Sequence, residues 1–276
     1  MGAGKAHIGL GKLTVGGKIV IPTNKGLGQH WLHDTASLEA MCDEADLTNN
    51  DVVLEIGPGL GTLTQFLTKR ARRVIAGEFD KLLAAALLST SQLANVEVVQ
   101  SDILKYDLTT LPKGYKIVAN IPYYLTSHLF RILSESSNPP VSATLLVQKE
   151  VAERVAASPG DMSLLSVTTQ YFWEVRLGRT VSAKLFLPPP KVDSQILILN
   201  HRIKPLFPEV ASKKFFHLVK AGFANRRKTL LNSLGAGLQM SKLDTAELLA
   251  RATIDPNSRA QELSLEQWHK LYQAST

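Results

Sequence analysis

Short apolar runs bounded by Gly, Asn, Asp or Ser recur along the first two thirds of the chain, at residues 51–56, 73–78, 96–100, 116–121 and 143–147. Runs of this length, rich in Val and Ile, read as strands, and the one at 116–121 as a buried strand. Helical patterns lie among them: one starting near Asp34 or Thr35, then 62–69, 126–136, 149–157 and 163–170. Residues 172–181 and 195–200 instead alternate, as an edge hairpin does. Between them, Phe186-Leu-Pro-Pro-Pro-Lys191-Val-Asp-Ser194 cannot enter a central strand, because consecutive prolines lack ladder donors; it must run along a surface or line a cleft. Beyond Pro205 and Pro208 only helical patterns remain, at 211–223, 227–234, 242–251 and 264–272. The pattern predicts an α/β domain over residues 25–203 and a small all-helical domain over 204–276. Residues 1–24, with six Gly and three Lys, form a flexible basic arm in which 18–22 could pair as a short strand.

Composition narrows the class. At 276 residues and 45% hydrophobic content the chain can bury a full core. No window approaches 18 uninterrupted apolar residues and the start lacks a secretory pattern, so a cytoplasmic protein with no membrane contact is expected. Cys42 is the sole cysteine, which excludes an internal disulfide and a thiolate zinc cluster and leaves a packed core thiol. His30 and His33 lack a third ligand nearby, so no metal is expected.

The net charge of +7 is unevenly spread. Residues 201–230 hold eight Lys or Arg against one acid, and the first 33 residues hold four Lys and no acid. Basic character confined to two places suggests a polyanion gripped at defined positions; a solvated helix face is the alternative.

Candidate chemistry collects where the strands end. The run 51–56 delivers into Gly57-Pro-Gly59-Leu-Gly61, and a helix follows. That order lets backbone approach a nucleotide-like ligand. Leu63 stands where a dinucleotide fingerprint needs its third glycine, which favours S-adenosylmethionine over NAD. The next run ends in Glu78, a carboxylate able to accept both ribose hydroxyls, and the third ends in Ser101-Asp102, where an Asp can accept from an adenine amine. The fourth ends in Asn120-Ile121-Pro122-Tyr123. An amide carbonyl, a main-chain carbonyl fixed by proline and an aromatic face suit a planar ring bearing an exocyclic amine. Each residue alone could be a cap or a turn; four successive strand ends on one edge point to a cofactor site.

Gln29-His-Trp-Leu32, Glu55-Ile-Gly-Pro-Gly-Leu-Gly61, Asn120-Ile-Pro-Tyr-Tyr124, Gln148-Lys-Glu-Val-Ala-Glu-Arg154, Phe186 through Ser194 and Phe223 through Leu230 together resemble, in order and spacing, the KsgA-type ribosomal RNA adenine dimethyltransferases. The resemblance runs from near Lys25 to the C-terminus. It implies a Rossmann-like, seven-stranded S-adenosylmethionine-dependent domain followed by the helical one. The implied activity places two methyl groups on N6 of each of two adjacent adenosines near the 3′ end of small-subunit rRNA, within an immature ribosomal subunit, by a monomeric enzyme. Carried over, Gln29, His30, Leu32, Gly57 and Gly59 would lie about the methionine end of the cofactor, Glu78 on ribose and Asp102 on adenine. Asn120 would bridge cofactor and target, Pro122 would fix the carbonyl before it, Tyr123 would stack on the flipped base, and Phe186 would close the pocket from the other side. Arg226, Arg227 and Lys228, with Lys220 on the preceding helix, would grip phosphates. The family commonly has Gln-Asn-Phe-Leu where this chain has Gln29-His30-Trp31-Leu32, and a Tyr-Gly pair before the Leu-Ser where this chain reads Asp161-Met-Ser-Leu-Leu-Ser166.

Other functions stay open on sequence grounds. A resistance-type methyltransferase of large-subunit rRNA shares the Asn-Ile-Pro-Tyr motif; Val192-Asp193-Ser194 and the Arg-Arg-Lys-Thr segment lean away from it. An assembly or nucleic-acid-binding factor whose methylation is secondary or lost is a further reading; the intact strand-end acids and Asn-Ile-Pro-Tyr motif argue against loss and leave an assembly role open. A DNA adenine methyltransferase is disfavoured by the helical tail.

Overall fold

The computed structural model describes residues 14–15, 18–19, 29–89 and 94–276. Thr14–Val15 and Lys18–Ile19 pair antiparallel; the rest of the basic arm, and Lys25 through Gly28, lie outside the described residues. By packing, the chain divides into two compact units, 1–152 with 176–201, and 153–175 with 202–276. A single cut at 203/204 on sequence grounds leaves 153–175 with the first domain, whereas packing groups that segment with the helical tail.

The first unit is built on a seven-stranded sheet. Its strands are β1 (Val52–Ile56), β2 (Arg73–Glu78), β3 (Val96–Gln100), β4 (Lys116–Asn120), β5 (Ser142–Gln148), β6 (Trp173–Val181) and β7 (Ser194–His201), in the spatial order β3-β2-β1-β4-β5-β7-β6. β1 through β5 run parallel, and β7 returns antiparallel to β5 over seven paired residues from Ser194↔Gln148 to Asn200↔Ser142. Chain order reverses at β1, between β2 and β4. In an open α/β sheet a crevice forms beyond the carboxyl ends of the strands at such a switch point.

Helix α1 (Thr35–Glu44) is capped by Asp34, whose carboxylate accepts from Ser37 N at 2.9 Å. Its Leu38, Met41 and Cys42 pack with Val53, Val74, Val118 and Leu146 from β1, β2, β4 and β5. Burial raises the Cys42 thiol to about 12, so the cysteine is a core residue. Lys116 ties the amino-terminal end of β4 down through Asp51 at 3.1 Å and the Asp46 carbonyl at 2.6 Å.

The helix expected over 62–69 is shorter. α2 spans only Thr64–Leu67, because the glycine turn, closed by Gly61 N donating to Pro58 O, takes residues up to Leu63, and Thr68 Oγ1 back-bonds to Gln65 O at the other end. α3 (Lys81–Leu88) follows β2 with Asp80 as its cap. α4 (Thr126–Glu135) and α5 (Lys149–Val155) flank β5 in sequence.

The second unit contains α6 (Leu164–Phe172), α7 (Ser212–Phe223), α8 (Leu230–Leu238), α9 (Lys242–Arg251) and α10 (Leu265–Ser275). Its core gathers Met162, Val167 and Tyr171 with Phe215, Leu218, Leu234, Leu249 and Trp268. Tyr171 stacks on Phe215 at 5.2 Å and meets Phe172 and Phe216 edge-on. α8 starts at Leu230, later than the sequence suggests. Thr229 is extended, and Leu230 N and Leu231 N donate to the Ser258 and Pro256 carbonyls. Arg226, Arg227 and Lys228 therefore stand in a turn, fully on the surface, and not on a helix.

Candidate active site

A cavity of about 320 Å³ opens at the carboxyl ends of β1 to β4. Gln29, His30, Leu32, Gly57, Glu78, Asp102, Asn120, Pro122 and Tyr123 all line it, brought from five separate stretches of sequence.

The glycine turn comes first. Gly57 and Gly59 hold φ of +65° and +55°, a region that L side chains rarely enter, and so fold the backbone tightly at the end of β1. Gly57 N donates to Gly77 O at 2.9 Å, which stitches the turn to β2. Gly59 has a further constraint: a Cβ there would fall 2.0 Å from Cζ3 of Trp31. The edge of the indole points at the glycine, and Gly59 itself is not among the cavity-lining residues.

Gly59 nonetheless organises the site through its amide, which donates to Glu78 Oε2 at 2.9 Å, while Asp80 N donates to Oε1 at 2.9 Å. The two donors fix the carboxylate plane and leave each oxygen a second lone pair for a ligand hydroxyl. Burial raises the Glu78 carboxyl, and these amides partly oppose the rise. Glu55 lies deeper, 1% exposed, with no hydrogen-bond partner for Oε2. Burial raises it to about 8; the Thr64 hydroxyl opposes the rise without reaching hydrogen-bond geometry, and the Glu78 charge adds to it. Asp102 caps the short turn Ile103–Lys105 with Oδ1, accepting from Leu104 N at 3.0 Å, and Oδ2 has no protein partner among the described residues.

At the end of β4, Asn120 Nδ2 donates to the His30 carbonyl at 3.3 Å. That contact orients the amide and leaves Oδ1 as a free acceptor. The Tyr123 hydroxyl meets Ser194 Oγ at 2.9 Å, and the His30 ring stacks on Tyr123 at 5.8 Å with an interplanar angle of 29°. His30 Nδ1–H in turn donates to the Pro188 carbonyl at 2.8 Å. The segment carrying His30 is laced to the proline loop further along: Leu32 pairs with Phe186, and His33 N donates to Leu185 O.

Phe186 does not line the cavity. It is 2% exposed and packs with Leu32, Val181 and Ile196 in the sheet core. Conversely, sequence reasoning passes over Trp31, Glu55, Phe79 and Tyr124, all of which line the cavity. Phe79 and Tyr124 are 54% and 53% exposed. Their signal was available: each is a large aromatic directly following a residue already assigned to the site, Glu78 and Tyr123. Arg226, Arg227, Lys228 and Lys220 are exposed in the second unit, at the end of α7 and in the turn after it.

Residues 21–276 match the family model described as Ribosomal RNA adenine dimethylase. The chain belongs to that family. It is 42% identical over 255 residues to the Ribosomal RNA small subunit methyltransferase A of Dehalococcoides mccartyi strain CBDB1, covering 91% of this chain and 88% of the relative. It is 40% identical over 258 residues to the protein of that name from Alkaliphilus metalliredigens, covering 90% of each. Among solved structures it matches the 23S rRNA methyltransferase ErmE with a TM-score of 0.72 at 30% identity, covering 88% of this chain and 98% of that one. A dimethyladenosine transferase from Plasmodium falciparum matches with a TM-score of 0.72 at 27% identity, covering 88% and 96%. As an rRNA adenine dimethylase the protein takes its methyl group from S-adenosylmethionine. The cavity fits that cofactor: it offers carboxylates at two successive strand ends, a tight glycine turn and exposed aromatic surface, with no Lys or Arg among the described residues that line it. Among the described residues no group of three His, Cys, Asp or Glu is placed to hold a metal, and no helix is long and apolar enough to cross a membrane.

Proposed function

We propose that the protein dimethylates N6 of two adjacent adenosines near the 3′ end of small-subunit rRNA, in a maturing subunit, as a cytoplasmic monomer. The observation that carries this reading is the free Oδ1 of Asn120, which lines one cavity together with Tyr123 and the strand-end acids Glu78 and Asp102. When bound, that cofactor supplies an electrophilic methyl group on a sulfonium.

Glu78 would hold the ribose hydroxyls and Asp102 the adenine amine of the cofactor, each using acceptor capacity its present bonds leave open. Gln29, His30, Leu32, Gly57 and Gly59 would frame the methionine end, with Gly59 acting through Glu78 and Trp31. The target adenine's N6 lone pair is delocalised into its ring and is a poor nucleophile. Asn120 Oδ1 and the Ile121 carbonyl, fixed by Pro122, would accept the two N6 hydrogens and turn the lone pair toward the methyl group. Tyr123, anchored by Ser194, would take the flipped base on its ring; one side of that ring already carries His30. Phe186 supports this wall from beneath through its pairing with Leu32, and would reach the base only if that pairing opened. A second methylation requires the same acceptors to tolerate one N6 hydrogen replaced by methyl, which positioning without a dedicated base allows.

Arg226, Arg227, Lys228 and Lys220 would bind RNA phosphates. The experiment that tests the assignment offers purified immature small subunits, large subunits and duplex DNA to the protein with methyl-labelled S-adenosylmethionine, then maps the product. Dimethyladenosine confined to small-subunit rRNA is expected. Label found only in large-subunit rRNA would move the protein to the activity named for its structural neighbour ErmE.

A further inference from the structure

The second unit carries a cavity of its own, about 620 Å³ and open to solvent, lined by the start of α7, the ends of α8, α9 and α10, and Met240. Lys213, Lys214, His217 and Arg251 stand around it, all exposed, and no acidic side chain lines it. None of the four makes an ion pair with a described residue. Its apolar surface comes from Leu218, Leu238, Met240 and Leu248, and Tyr272 adds an aromatic ring whose hydroxyl accepts from Ala211 N at 3.2 Å.

Arg251 stands in the last turn of α9, where the helix dipole favours a cation, but the lysines have no such account. Lys213 and Lys214 fall in the first turn of α7, which contains no acid, where the helix dipole disfavours cations. Lys213, His217 and Lys220 are spaced i, i+4, i+7 and so share one face of α7. At about 1.5 Å rise per residue the stripe spans roughly 10 Å, and it leads to the turn bearing Arg226, Arg227 and Lys228. Cations beside an apolar and aromatic surface are the combination that binds single-stranded nucleic acid: phosphates on the rim, an unstacked base inside. An acidic peptide would satisfy the cations but leave the apolar surface without a role.

We infer that this cavity binds a single-stranded RNA segment, pairing phosphates with Lys213, Lys214 and Arg251 and seating one base on Leu238, Met240 and Tyr272, so that the strand runs along α7 to Arg226–Lys228. The inference rests on the rRNA reading above and extends it to residues outside the cluster of arginines.

The test measures binding of a fluorescently labelled single-stranded RNA dodecamer to the full chain across a salt series, for the parent protein, for Lys213→Ala/Lys214→Ala/Arg251→Ala and for Arg226→Ala/Arg227→Ala/Lys228→Ala, with thermal melts confirming that both variants fold. Each triple variant should bind at least tenfold more weakly at low salt and show a salt slope shallower by about 2, the value for three lost single-strand phosphate contacts. Met240→Ala should weaken binding about threefold with the slope unchanged. A cavity variant that binds like the parent, while the arginine variant loses affinity and slope, would overturn the cavity site and leave the rRNA reading standing. Dodecamer binding untouched by either variant would remove the second unit from RNA recognition, and this inference with it.

Discussion

On the function proposed above, the cavity at the sheet edge and the cationic face of α7 would recognise their partners by opposite physics. At the sheet edge every functional group is already held: Glu78 by two amides, Asn120 by the His30 carbonyl, Tyr123 by Ser194. What remains for a ligand is the unused acceptor capacity of fixed groups in a partly dehydrated site, where each bond is strong and a misplaced group is costly. On α7 nothing is held. Its lysines, and the arginines of the turn after it, are exposed with no ion pair to a described residue, and the RNA binding proposed for them would draw on released counterions, which is additive, tolerant of geometry and sensitive to salt. Geometry belongs to one region and charge to the other, so variants in the two should fail in different ways.

The largest effect expected is at Asn120. Asn120→Ala should lower methyl transfer by roughly 10²–10³ or more, the range seen when a transition-state hydrogen-bonding group is removed, while the salt dependence of RNA binding stays as in the parent. Near-normal transfer in a single-turnover assay would remove Asn120 from the chemistry.

Next comes Gly59. Gly59→Ala must adopt a left-handed backbone at about 1–2 kcal/mol and collide with the Trp31 indole, so unfolding stability should drop by about 2 kcal/mol or more and cofactor affinity with it. In a Trp31→Ala background the same change should cost only the backbone part. Equal costs in both backgrounds, read from denaturant unfolding, would show that the indole does not press on the turn.

The third concerns Glu55 and pH. Its folded pKa of about 8 lies above an unfolded value near 4.5, so the folded state keeps a proton that the unfolded chain releases. Stability from this group is fully present below the unfolded pKa and is lost as pH rises toward 8, with a slope approaching 1.4 kcal/mol per pH unit inside that window. Glu55→Gln should therefore melt higher than the parent at pH 8, with the gap closing toward pH 5. Parallel melting curves across that range would show Glu55 to be ionised in the fold.

The smallest effect belongs to the charge region. Arg227→Ala alone should weaken RNA binding only a few-fold at physiological salt and lower the salt slope by about 0.7, with cofactor affinity untouched. A change in cofactor affinity would break the separation of geometry from charge.

Much of the sheet edge was legible in the sequence because strand ends are marked chemically. An apolar run closing in glycine, Glu78, Asp102 or Asn120 announces both the strand and the place where it stops, and the structure puts these ends side by side. The cations were legible as a local excess of charge. What escaped depends on long-range packing. Phe186 reads as a cleft residue because prolines follow it, yet pairing with Leu32 draws it into the core. The indole of Trp31 against Gly59 joins two motifs that sequence can only set side by side. Glu55 reads as part of a glycine motif, and the burial that leaves its Oε2 without a hydrogen-bond partner emerges only when the sheet closes around it. Residues 153–175 look like one more helical piece of the first domain, because nothing local shows that Met162, Val167 and Tyr171 bury themselves against helices encoded some fifty or more residues later.

That last feature bears on how the chain can be made and cut. As the polypeptide emerges during synthesis, 153–175 appear well before Phe215, Leu218, Leu234 and Trp268, and must keep an apolar face uncovered while the hairpin residues 176–201 complete the sheet. A chain stopped near residue 203 would lack the helices that cover Met162, Val167 and Tyr171, and the apolar surface so exposed favours aggregation or rapid degradation. The apolar face of 153–175 is thus covered only in chains extended through Trp268.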